Sequence, residues 1–159
     1  MWALPFLKNT NKQWAVMHTE ITPAGERRAD WQAELDSYVL ANEHVPFDWQ
    51  SQNCMTFAAT WAQIANGRQA SLPAAKTARE ALRVVKGLGG LYADACENLG
   101  LPLPGAFARC GDVVLLKVPR SRGRVSLAFG VCLGAVCAAP SATGLMMLPI
   151  TEAEAAWRV

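Results

Sequence analysis

A chain of 159 residues, 52% of them hydrophobic, is the size of one domain and can bury one sizeable core. Its formal charge of +2 is too near balance to point to nucleic acid, and at 18% its charged fraction is lower than in most free soluble proteins. The longest apolar stretches, residues 125–140 and 144–150, are cut by Gly130, Gly134 and Pro140 and fall short of the roughly 20 residues a membrane span needs, so no membrane span is expected.

Residues 1–27 carry no sustained periodicity and mix Trp2, Phe6, Trp14 and Met17 with polar residues. They read as an N-terminal extension or arm that packs on its own domain or reaches a neighbouring subunit. Pro5 interrupts the first apolar residues, no basic residue precedes them and no small-residue cleavage site follows closely. A secretory signal is therefore not expected, and the chain reads as one made and folded in a cytoplasm.

From residue 28 to residue 159 the pattern is that of one domain. Asp30 is placed to cap a helix whose Trp31, Leu35, Tyr38 and Val39 share one face, and this helix is expected to stop near His44. Pro46 forces Val45 out of helical geometry and starts an extended link to Trp49. A second helix begins around Asn53 or Cys54, lines up Cys54, Phe57, Ala58, Trp61, Ile64 and Ala65, and ends at Asn66-Gly67. Third and fourth helices are predicted over Thr77 to Lys86, closed by Gly87, and over Leu91 to Leu99, closed by Gly100; residues 101–105 form a stiff connector.

After Gly111-Asp112 the texture becomes β-branched and apolar. Val113 to Val118 and Val125 to Leu133 are predicted to form a hairpin around a basic tip, and Ala135 to Ala139 and Gly144 to Leu148 add two short strands. Thr151 to Glu154 has the pattern of a capping box and predicts a final helical turn holding Trp157. Helices first and an antiparallel sheet afterwards make the fold class α+β.

The five cysteines are odd in number and lack the spacing of a small disulfide framework, so most are expected to be reduced and buried. Cys132 and Cys137 lie in an apolar stretch with no C-x2-C pair or neighbouring histidine. No metal and no cofactor is expected.

Cys54 at a helix N-terminus, followed by helices, then Gly111-Asp112-Val113-Val114-Leu115 and Phe129-Gly130-Val131-Cys132-Leu133-Gly134, resembles the NlpC/P60 group of papain-like cysteine peptidases. A narrower likeness rests on Phe47-Asp48-Trp49, on Asn53 to Ala59, on residues 130–134, on Gly144-Leu145 and on Ala156-Trp157-Arg158-Val159. These look like small phage and prophage proteins of the DUF6950 type, encoded among tail genes. The resemblance covers about residues 28–159 and implies helices packed on a small antiparallel sheet. It puts Cys54 at the nucleophile's position and Ala128 at the histidine's.

A cysteine peptidase needs a thiolate, an imidazole beside it and donors for the oxyanion. The dipole at a helix N-terminus favours the Cys54 thiolate, but an Ala128 methyl cannot accept a proton. His18 and His44 both precede the cysteine; His44, ten residues upstream, is the candidate substitute base, although a histidine at a helix end ordinarily serves the helix itself. Asp112 reads as a turn residue. Lys117, Arg120, Arg122 and Arg124 read as a solvated hairpin tip.

Trp31 and Trp61 belong to core faces, whereas Trp2, Trp14, Trp49 and Trp157 fall outside the expected elements and are the candidate partner contacts. Together with the resemblance, these features imply a virion tail component near the tip or baseplate hub. It would be present in several copies, bound to other tail or hub proteins, and would use a catalytically degenerate domain to dock. The alternative is an active cysteine peptidase or amidase that cuts peptidoglycan through Cys54.

Overall fold

The computed structural model describes residues 26–69, 75–87 and 89–159. Helix α1 spans Trp31–Asn42, α2 Cys54–Asn66, α3 Ala78–Gly87 and α4 Leu91–Leu99. Asn53 caps α2 by accepting the Thr56 N–H at 2.9 Å, and Gly67 ends it in the left-handed conformation at φ 76°. Both ends fall where the Asn53 and Asn66-Gly67 signals put them, because each is decided by local chemistry. No helix among the described residues is long and apolar enough to cross a membrane.

The strands are β1 Leu103–Pro104, β2 Val113–Pro119, β3 Val125–Cys132, β4 Val136–Ser141, β5 Gly144–Pro149 and β6 Ala153–Trp157. They form one antiparallel sheet in the order β1-β6-β2-β3-β4-β5. The fold is α+β, as expected. The sheet also takes in two segments read otherwise from the sequence.

The predicted C-terminal helical turn shrinks to a single 3-10 turn, Ile150–Glu152, and residues 153–157 become a strand. Val113, Val114 and Leu115 of β2 face Trp157, Ala156 and Ala155, so the open edge of β2 outweighs a local capping pattern. The connector contributes Leu103 and Pro104, paired with Ala156 and Ala155, as the last strand of that edge.

Alternation along β2 and β3 divides the core in two. Val113, Leu115, Phe129, Val131, Ala155 and Trp157 pack beneath Leu35, Phe57, Ala58, Trp61 and Ala65 of α1 and α2. On the opposite face Val114, Leu116, Val118, Ala128, Cys132 and Ala156 meet Leu103 from one sheet edge and Met146 and Leu148 from the other. Side chains from both edges reach one cluster because the sheet curls. Gly130 lets β3 and β4 approach closely: a Cβ there would lie 2.6 Å from the Ala138 carbonyl oxygen and 2.7 Å from Leu116 Cδ1. Gly130→Ala is expected to cost about 1–3 kcal/mol in chemical denaturation, and a neutral result would mean that β3 and β4 can spread apart.

Candidate functional site

The segment ahead of Cys54 is held from several directions. Glu43 accepts the Leu145 N–H at 3.0 Å, and Phe47 donates its N–H to Ser141 at 2.8 Å, tying the end of α1 to the β4–β5 turn. Gly144 makes that approach possible, since a Cβ there would lie 2.1 Å from the Glu43 oxygen. The Asp48 carboxylate then accepts from the Gln50 N–H, the Ser51 N–H and the Ser51 hydroxyl, closing a tight turn. Asn53 donates its side-chain amide to the Trp49 carbonyl at 3.0 Å and delivers the chain into α2 at Cys54.

Cys54 packs against both clusters, the helix-side core and the one containing Ala128. The reason lies in β3. It pairs with β4 only at Val131–Ala138 and Cys132–Cys137, which leaves that edge of residues 125–130 without a strand neighbour among the described residues. The start of α2 packs against β3 there, with the Phe129 N–H close enough to Cys54 to favour its thiolate. The thiol therefore lies against β3 near Phe129, in the cluster that also holds Ala128, the residue that the sequence resemblance put at the histidine's position.

The chemistry of that thiol differs from the expectation drawn from its helix terminus. Burial is the strongest influence and pushes its pKa up, against the N–H groups of Phe129, Cys54 and Met55 and the charge of Arg120. The helix terminus pulls in the expected direction and is outweighed. Cys54 is a protonated, half-buried thiol at neutral pH.

His44 is the only histidine among the described residues, and His18 lies outside them. The His44 side chain is 89% exposed, and its nearest charged partner is Glu43 at 3.9 Å. The candidate substitute base is therefore set aside, because its ring points to solvent while the thiol faces the core. Ala128 is itself buried, in one cluster with Val114, Leu116 and Val118, and Cys54 packs against that cluster.

Trp49 is 38% exposed and meets Phe47 edge to face at 4.7 Å, on the surface turn just ahead of Cys54. Trp157, expected at a subunit contact, is instead fully buried in β6, edge-on to Tyr92 and Phe129. Its misplacement follows from reading residues 153–157 as outside the sheet. Trp2 and Trp14 lie outside the described residues.

The sequence reading missed the role of Asp112. Its side chain is fully buried, with Oδ1 accepting from Arg27 Nη2 at 2.7 Å and Oδ2 accepting from the Arg109 N–H at 2.8 Å and from Arg158 Nη1. Burial pushes the carboxyl up, against the pull of the Arg109 N–H, Arg158 and Arg27. Arg27 also donates to the Val159 and Cys110 carbonyls and lies over the Trp31 ring at 4.5 Å. It belongs to the domain and not to the preceding extension. At the hairpin tip, Lys117 pairs with Glu154 at 3.0 Å and Arg120 donates to the Ser126 hydroxyl at 2.7 Å, so the basic cluster is partly committed within the sheet.

Residues 26–159 match a family described as a domain of unknown function, DUF6950. No curated protein matches the chain. No solved structure matches it either.

Proposed function

The chain belongs to the DUF6950 family, and on the likeness of its sequence motifs to small phage tail proteins we propose that it is a structural component of a bacteriophage tail, near the tip or baseplate hub. In this reading an NlpC/P60-like, papain-like domain without its catalytic histidine serves as a protein-binding module. One observation carries it: Cys54 stands at the start of a helix against β3, as a papain-like nucleophile would, packed on the cluster that holds Ala128, with burial holding the thiol protonated. Among the described residues no histidine is placed to take the proton of a thiol in that state or to protonate a leaving amine. What remains of the site is its shape, and a scaffold that frames a cleft can serve as a docking surface. Trp49 and Phe47, at the surface beside it, supply an aromatic pair of the kind that anchors interfaces.

The thiol itself provides the test. With its pKa raised, less of Cys54 is thiolate at pH 7 than of a free cysteine, and the thiolate fraction grows only as the pH climbs. Alkylation of Cys54 by iodoacetamide is expected to be slower than that of a free thiol at pH 7 and to rise about tenfold per pH unit from there to pH 8. Purified protein should release nothing from peptidoglycan, and phage carrying Cys54→Ala should remain infectious. A fast, pH-independent alkylation near neutrality, together with peptidoglycan cleavage that Cys54→Ala abolishes, would establish the cysteine peptidase instead.

A further inference from the structure

Cys132 and Cys137 stand directly opposite each other across β3 and β4, and both are fully buried. Leu133 donates its N–H to the Val136 carbonyl at 2.8 Å, which makes 133–136 a hydrogen-bonded pair. The next pair outward, Cys132 and Cys137, is therefore of the non-hydrogen-bonded kind, in which the Cα atoms approach to about 4.5 Å and the side chains leave the same face. That spacing lies inside the range a disulfide spans.

We propose that Cys132 and Cys137 are a reversible disulfide site, closed by a low-molecular-weight disulfide and reopened by thiols. The inference is independent of the tail reading. Two features favour Cys132 as the attacking sulfur. It accepts the Gly134 N–H at 3.4 Å, and the Cys137 thiol donates to it, which lowers the pKa of Cys132 and raises that of Cys137. Access comes through the join itself. β3 and β4 share only two residue pairs, and the turn beyond them, residues 134–136, is exposed, so local opening uncovers the sulfurs without unfolding the core.

The exchange proceeds in two displacements. The Cys132 thiolate attacks one sulfur of oxidised glutathione, forming a mixed disulfide and releasing a glutathione thiolate. Cys137, giving its proton to solvent, then attacks the Cys132 sulfur and expels the second glutathione. The protein loses two electrons and two protons, and one disulfide is reduced to two thiols. The product fastens the β4–β5 hairpin to β3 beside the turn that carries Asp112, since Cys132 donates its N–H to the Asp112 carbonyl at 2.9 Å.

The test uses the full chain, folded and incubated with oxidised glutathione, then unfolded in the presence of iodoacetamide and cleaved with trypsin. Both cysteines fall in the single peptide 125–158, which holds no other cysteine and no internal lysine or arginine. The expected product is that peptide lighter by two hydrogens and unalkylated, restored to two alkylated cysteines by dithiothreitol. Closing so short a loop should raise the Tm by about 4–8 °C. In Cys137→Ala, glutathione should add to Cys132 without the rise in Tm. Recovery of both wild-type cysteines as free thiols, a glutathione adduct that persists on Cys132, or a Cys132–Cys110 link would overturn the proposal. An equal rise in Tm for Cys137→Ala would do the same.

Discussion

Asp112→Ala is expected to lower stability by about 3–5 kcal/mol, read as a shift in the urea midpoint at unchanged slope. Its carboxylate is fully buried, whereas the Arg27 and Arg158 side chains are 19% and 36% exposed. Truncation leaves two guanidinium groups facing an emptied site and the Arg109 N–H without its acceptor. Because both arginines can partly rehydrate, the loss should fall toward the lower end of that range. Asp112→Asn keeps an acceptor for Arg109 and should lose less. Moderate salt should change neither value much, since a buried pair is poorly screened. A loss below about 0.5 kcal/mol for alanine would mean that desolvation cancels the ion pairs.

The same residue marks the limit of what the sequence discloses. Asn53 and Gly67 announce the ends of α2 because a cap and a left-handed glycine act within three or four residues. The hairpin of β2 and β3 is legible for a similar reason, its two apolar runs flanking a basic turn. Asp112 carries no such signal. Its partners Arg27 and Arg158 lie 85 and 46 residues away, and only the folded chain brings them to one carboxylate. β6 was equally hidden, since its strand conformation depends on an edge supplied by β2. At Cys54 the helix terminus was legible and the opposing burial was not, because desolvation depends on β3 and on the clusters that the sheet assembles around the sulfur.

Trp61→Ala should have an effect of the same size, about 3–5 kcal/mol from lost packing. The indole is fully buried, stacks on Tyr38 at 5.9 Å and donates Nε1–H to the Gly111 carbonyl at 2.8 Å. Trp61→Phe retains part of the ring contact and removes the donor, so a smaller loss of about 1–3 kcal/mol is expected, from the unsatisfied Gly111 carbonyl together with the space the larger ring filled. Trp61 and Asp112 hold the same two-residue turn, one from α2 and the other through Arg27 and Arg158. Once the turn is loosened by either change, the second has less left to disrupt. The double variant Trp61→Phe with Asp112→Asn should therefore be more stable than the sum of the single losses predicts, by about 0.5–3 kcal/mol. Strict additivity would mean that the turn is fixed by its own backbone. Gly111 argues against that: it adopts φ +88°, and a Cβ there would lie 2.8 Å from Arg27 Nη1, so the arginine closes over a turn only glycine can make.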